Sequence, residues 1–270
     1  MKRVNYYNKL DKGFHYNNSM IKIKDFKLRP KLKPHVYFLD IYEYIHYFPA
    51  NNHFSFVFGD VTDIPKIPSI VKSRPIEGDN QNSILLNLDK VRHFLFVKDK
   101  KRFEEKSNKL LGRLAVFQSH RIRFWEMYFG HPMCDLGQTN KRHTEHPEWT
   151  TRYMTIGEHF NFKFILCLEG NDVATNLKWV MSSNSIAVMP KPTYETWFME
   201  GTLIGDYHYI EIKKDYSDLE EKLTYYIKHT DEALEIIENA HKFVEQFWDK
   251  KREKLISLLV LQKYFQYLKY

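Results

Sequence analysis

The segment Glu169-Gly170-Asn171-Asp172-Val173-Ala174-Thr175-Asn176-Leu177-Lys178-Trp179 follows an apolar run and leads into a helical pattern. In such a strand–loop–helix passage the loop amides and the helix N-terminus face the crevice beyond the sheet, a setting that favours a phosphate. Lys178, in the first turns of that helix, adds a point charge. The loop is not a Walker loop, because G-x-x-x-x-G-K does not occur. A second arrangement has metal-ligand spacing: His131-x-x-Cys134 and His143-x-x-His146 suit zinc. The run between them is an Asp-, Gly- and Lys-containing loop, so zinc is set below phosphate as the expected chemistry.

The elements that must position these residues follow from periodicity. In the first half, short apolar runs at Val36 to Leu39, Phe54 to Phe58, Ser83 to Leu86 and His93 to Val97 read as strands, separated by Pro-rich or charged connections. A Lys- and Glu-rich stretch, Asp99 to Lys109, marks the expected boundary between domains. From Leu110 strands and helices alternate. Strands are expected at Leu110 to Val116, Lys163 to Leu168, Ile186 to Met189 and Tyr207 to Ile212, with helices at Gln118 to Phe129, Val173 to Ser182 and Tyr194 to Met199. Such alternation implies a parallel, doubly wound sheet. Ligands of these sheets lie beyond the carboxyl ends of the strands, which points to the loop after Leu168. Ser217-Asp218-Leu219-Glu220 has the form of a capping box. Helices are expected over Ser217 to Lys228, Asp231 to Phe247 and Lys250 to Leu268, with Tyr226, Ile227, Leu234, Ile237 and Phe243 as a core-facing stripe.

The 270 residues, 43% hydrophobic and 28% charged, describe an ordered chain long enough for two modest domains. The longest apolar run, Leu255 to Leu261, is far too short to span a bilayer. The start of the chain has no apolar signal core, and two cysteines make no disulfide framework; the cytoplasm is the expected compartment. The formal charge is +7. Lys22, Lys24, Lys27, Arg29, Lys31 and Lys33 concentrate positive charge in a segment suited to an anionic partner such as an acidic membrane surface, a phosphorylated substrate or nucleic acid.

The loop from Leu168 to Trp179, with Ser182-Ser183-Asn184-Ser185 and Met189-Pro190-Lys191-Pro192-Thr193-Tyr194-Glu195-Thr196-Trp197-Phe198 after it, resembles glycosyltransferase family 90. The likeness runs from about Lys31 to Phe247 and is nearest in wording to the bacterial lipopolysaccharide core glycosyltransferases. It implies a GT-B fold, two Rossmann-like domains facing across a cleft with C-terminal helices, and inverting transfer from a UDP-sugar without an obligatory metal. The sequence contains no Asp-x-Asp tripeptide of the kind metal-dependent GT-A enzymes use. Asp60-Val61-Thr62-Asp63-Ile64-Pro65 resembles the family segment with the catalytic aspartate, which falls on Asp63, with Asp60 the alternative. A carboxylate there would remove the acceptor's hydroxyl proton. Asp63 equally suits a turn before proline.

Gly112-Arg113-Leu114 through Arg121 resembles the strand and loop that lead to a phosphate-contacting arginine, placed on Arg121, with Arg113 matching a second one. The usual Trp-Arg-Gly is absent, and Asn176 stands where eukaryotic members often have arginine, which shifts charge onto Lys178. Glu169, Gly170, Asn171 and Ala174 complete the expected nucleotide-sugar site, and Glu195, at an expected helix start, matches a ribose-binding position. Lys72 and Arg74, before Pro75, are expected to line the cleft from the first domain.

The resulting expectation is an acceptor-side domain over 1–105, a nucleotide-sugar domain over 106–248 and a helix over 249–270 that crosses back. The enzyme would move a hexose, glucose or galactose, from a UDP-sugar to a lipopolysaccharide or lipooligosaccharide core at the inner face of the cytoplasmic membrane. Protein O-glycosyltransferase and capsule xylosyltransferase are alternatives within the family, and a basic nucleic-acid-binding protein is the competing class.

Overall fold

The structure is a computed structural model that describes residues 1–28, 35–140 and 145–270. Arg29, Lys31, Lys33 and His143 lie outside the described residues. In the first half, α1 (Lys2–Tyr7) and α2 (His35–Ile45) pack beside three short strands, β1 (Ser69–Val71), β2 (Ser73–Pro75) and β3 (Ser83–Leu85). The expected strand at Val36 to Leu39 is thus the start of a helix. Tyr37, Phe38, Ile41, Tyr44 and Ile45 are its buried apolar residues, a spacing that places them on one helical face. Likewise His93 to Val97 is not a strand, and Phe54 to Phe58 contributes only a two-residue strand and a single bridge from Phe56 to Ile70.

The second half carries β4 (Ser107–Leu114), α3 (Ser119–Tyr128), β5 (Cys134–Gln138), β6 (Phe162–Leu166), α4 (Leu177–Met181), β7 (Ile186–Met189), β8 (Tyr194–Thr196), β9 (Ile210–Glu211), α5 (Leu219–Lys228), α6 (Thr230–Glu245) and α7 (Lys250–Tyr267). Its five-stranded sheet has the order β9-β7-β6-β4-β5, and every pair is parallel. Strand β5, inside a stretch that shows no clear period, forms one edge. The sheet is buried on both faces, which explains the continuous apolar runs of β6 and β7. Phe164, Leu166, Ile186 and Val188 point into one core with α3 and α5. Ile165, Cys167, Ala187 and Met189 point into the other, which also holds α4, α7 and the first half. Tyr226 and Ile237 of the expected stripe are buried, and Ile227, Leu234 and Phe243 pack partly buried against the cores.

Three local expectations change. The capping box at Ser217 does not form: Asp218 Oδ1 accepts from the Lys213 amide, and Ser217 donates to Asp215. The helix expected at Tyr194 to Met199 is instead β8, antiparallel to β2, with Arg74 directly opposite Glu195. The helix after the 169–176 loop shrinks to the five residues of α4.

Helix α7 packs on α1 and α2. Tyr264 donates to the Pro68 carbonyl at 2.9 Å and accepts from the Ser55 amide, and Asn8 donates to the Val260 carbonyl. Among the described residues no helix is long and apolar enough to cross a membrane.

The charged stretch at 99–109 is welded into the fold. Asp99 and Lys106 pair at 2.5 Å with both side chains 0% exposed. The Lys106 ammonium also donates to the Phe160 carbonyl and Ser185 hydroxyl, and Asp99 accepts from the Asn184 amide. Removing one member leaves the other charge buried, which typically costs about 3–5 kcal/mol. Lys106→Met should therefore lower unfolding stability in urea by that order, and a loss under about 1 kcal/mol would show that water reaches the pair.

Candidate active site

With β4 leading one way to β5 and β6 placed on its other side, the strand order reverses between β4 and β6, and ligands of doubly wound sheets bind at that switch point. A cleft of about 530 Å³ opens there. Its walls include Arg113 at the end of β4, Gln118 and Arg121 after it, Gly170, Asn171 and Asn176 after β6, and Asp60 from the first half. A smaller slot of about 200 Å³ adjoins through the 168–174 loop and is lined by His120, Glu169, Ala174, Pro190, Thr193, Tyr194 and Tyr216 among others.

Arg121 sits in the first turn of α3, after the Gln118 N-cap. Its guanidinium donates to the carbonyls of Ala115, Glu169 and Leu168 at 2.7–2.8 Å. These bonds lock the β4–α3 and β6–α4 loops together, but no carboxylate pairs with it among the described residues. Burial without a counter-charge lowers its pKa to about 10, so the cation is retained at neutral pH and is poised for an anionic ligand. Gly170 packs against this guanidinium: a Cβ there would lie 3.4 Å from Arg121 Nη2. Arg113 reaches the same cleft but is held by Asp135, through Oδ1 at 2.6 Å and the carbonyl at 2.7 Å. Asn176 donates to the Leu166 carbonyl and so fixes the end of β6. A five-residue α4 has little macrodipole, so positive charge in the cleft comes from side chains more than from a helix end.

Asp60 lies in the cleft and Asp63 does not. Asp63 is exposed on the turn before Pro65 and is not among the residues that line either cavity. Asp60 Oδ1 accepts from Lys72 at 2.5 Å and Oδ2 from Asn171 at 3.2 Å. Lys72, 1% exposed, also pairs with Asp172 at 2.7 Å, and Asp172 accepts from Ser73. One buried ammonium thus ties the first-half carboxylate to the second-half loop. Burial alone would raise the Asp60 carboxyl, but the hydrogen bond and charge of Lys72, helped by Asn171 and Arg92, bring it below the ordinary value. Asp172 belongs to the loop after β6, yet nothing in its spacing marks it as a partner of Lys72.

The other expected residues lie elsewhere. Lys178 is 0% exposed and pairs with Glu200 at 2.5 Å, away from the cleft. Arg74 is also 0% exposed: it donates to Glu195 at 2.7 Å and to the carbonyls of Ser83, Tyr6 and Tyr7. Glu195, on β8 and bonded also by Tyr6, is enclosed in that cluster. Glu169 lines the slot, and its carboxylate accepts from the Thr193 amide and hydroxyl and the Tyr194 amide. Burial raises its pKa against these hydrogen bonds. Cys134 is buried at the start of β5, and among the described residues no group of three His, Cys, Asp or Glu side chains could hold a metal.

Residues 129–270 match the family model described as Glycosyl transferase family 90. The chain belongs to glycosyl transferase family 90. It is also 43% identical over 266 residues to the O-glucosyltransferase LpsA of Dichelobacter nodosus, covering 98% of this chain and 82% of that relative. The chain is therefore a glycosyltransferase, acting on a sugar donor and an acceptor. The family 90 model begins beyond Arg121, whereas the alignment with the relative runs through nearly the whole first half, where Asp60 and Lys72 lie.

The Lys72 contact has a measurable consequence. A carboxylate whose pKa is depressed stays ionised as pH falls until that lowered value is reached. Lys72→Met removes the lowering charge and leaves the raising effect of burial, so the Asp60 carboxyl, followed by NMR of its carboxyl carbon, should titrate at higher pH, and Lys72→Arg should move it back. An unmoved titration in Lys72→Met would separate Lys72 from the ionisation of Asp60.

Proposed function

We propose that the protein transfers a hexose, glucose in the first instance, from a UDP-sugar to a lipopolysaccharide or lipooligosaccharide core with inversion, and that Asp60 rather than Asp63 is its base. One observation carries this reading: a single cleft joins an ionised carboxylate from the first half to a guanidinium without a counter-charge from the second. Inverting displacement needs those two charges on opposite sides of the reacting carbon. Asp60 accepts the proton of the acceptor hydroxyl, whose oxygen attacks the anomeric carbon. The bond to the diphosphate breaks on the other face, and its electron pair passes to the phosphate oxygen beside Arg121. A preorganised cation at developing charge stabilises such a transition state more than the ground state. The adjoining slot takes the nucleoside, with apolar walls from Leu168, Ala174 and Pro190 and polar groups from Glu169 and Thr193.

In this reading residues 1–105 and 106–248 act as the two lobes of a GT-B enzyme, bridged by the helix within 249–270, and the reaction needs no obligatory metal. Glucose is favoured by the relative's name, O-glucosyltransferase. The exposed Lys24 and Lys27 belong to the basic segment, which would hold the enzyme at the inner face of the cytoplasmic membrane. Binding to vesicles of anionic lipid should accordingly weaken as salt rises, and salt-independent binding would remove that role.

The deciding assay is UDP release from UDP-glucose with truncated core oligosaccharide. General-base catalysis contributes about 10²- to 10⁴-fold, so Asp60→Asn should lose turnover by that order while keeping its affinity for UDP, and Asp63→Asn should retain it. The opposite pattern would return the base to Asp63. Folded wild-type protein that neither binds UDP nor turns over would refute the UDP-sugar reading.

A further inference from the structure

Three arginines line the cleft, and they differ in availability. Arg121 is 8% exposed and committed to three carbonyls, and the Arg113 side chain, 8% exposed, is committed to Asp135. The Arg92 side chain is 53% exposed, and its ion pair with Asp89 is long at 3.5 Å. Arg92 stands on the short helical turn Lys90–His93, whose N-cap, Asp89, has a left-handed backbone with φ 56°. Arg92 comes from the first half, as Asp60 does, and the two line the same cleft, which sets it on the base's side. In a displacement the base and the leaving diphosphate occupy opposite faces of the reacting sugar. A cation from the first half, beside the base, therefore serves the acceptor.

The same cleft exposes large apolar side chains that the two cores leave out: Phe117 at 52%, Tyr153 at 76% and Leu95 at 44%. Phe117 is not remote from the chemistry. Its neighbour Gln118 donates to Asn171 Oδ1 at 3.1 Å, and Asn171 donates to Asp60 Oδ2. Aromatic faces combine apolar area with a negative quadrupole, which suits the C–H faces of sugar rings, whereas an exposed guanidinium held only by a long ion pair suits a phosphate or carboxylate fork.

From these positions we infer that the cleft contains an acceptor subsite for an acidic sugar unit, in which Arg92 binds the unit's phosphate or carboxylate and Phe117 and Tyr153 stack on acceptor rings. The inference rests on the glycosyltransferase reading of the cleft with Asp60 as the base. It gives the acceptor a chemical class: an oligosaccharide with an anionic group close to the hydroxyl that receives the new sugar.

The test uses the full chain and one core oligosaccharide in three forms: native, dephosphorylated with hydrofluoric acid, and carboxyl-reduced. Wild type should prefer the native form over one stripped form, and which one fails identifies phosphate or carboxylate as the recognised group. A charge-assisted hydrogen bond supports about a 10- to 100-fold effect. Arg92→Gln should lower acceptor kcat/KM for the native form by that factor and erase the preference, with the affinity for UDP, measured by calorimetry, unchanged. Tyr153→Ala and Phe117→Ala should each weaken all three forms alike. Equal use of the three forms by wild type, or weaker UDP binding in Arg92→Gln, would overturn the subsite. Wild-type protein that binds no UDP and uses no form would refute the donor reading first, and the subsite with it.

Discussion

Burying an ammonium or guanidinium is costly unless a carboxylate and further hydrogen bonds surround it, and this chain buries several of them. Lys72 lies between Asp60 and Asp172 and Arg74 against Glu195, both across the seam between the halves, while Lys178 pairs with Glu200 inside the second half. The two clusters that cross the seam form only if partners from distant stretches arrive together, so they fix how the first half sits on the sheet. The register of β2 against β8 makes the same demand in backbone hydrogen bonds. Around these charges a continuous apolar core runs from α1 and α2 through one face of the sheet to α7, so the halves share one packed core.

That packing explains the division of labour among the basic residues. Lys72 and Arg74 are separated by one residue, yet Lys72 touches the cleft carboxylate while Arg74 is enclosed by carbonyls and Glu195. Arg121 is the opposite case. It is buried against neutral carbonyls, retains its charge and has no carboxylate partner among the described residues, an arrangement that is unfavourable for stability alone and favourable for an anionic ligand. Asp60 completes the contrast: burial raises its pKa, and the ammonium beside it brings the carboxyl below the ordinary value.

The location of the cleft follows from topology. The strand order turns between β4 and β6, so the loops after these strands diverge and leave a crevice that neither fills. The loops are joined across its floor by Arg121, and the first half closes one side with Asp60 and Arg92. The slot and the open cleft therefore share the 168–174 loop.

The sequence by itself determined the parallel sheet, its strands β4, β6 and β7, the helices α3 and α5 to α7 and the loop at Gly170. These depend on apolar period and turn chemistry within a dozen residues, information carried locally along the chain; the cleft position of Arg121 was implied by the family resemblance. The helix at His35–Ile45 was legible too, had the apolar spacing been followed past Leu39. Only the tertiary structure decided that Asp60 rather than Asp63 enters the cleft, that Lys178, Arg74 and Glu195 are buried pairs, that Tyr194–Thr196 is a strand, and that Arg92, Phe117 and Tyr153 share a wall. In each case the residue's role depends on a partner tens to more than a hundred positions away, such as Glu195 for Arg74 or Asp172 for Lys72, and no local pattern encodes which of two nearby charges will meet it.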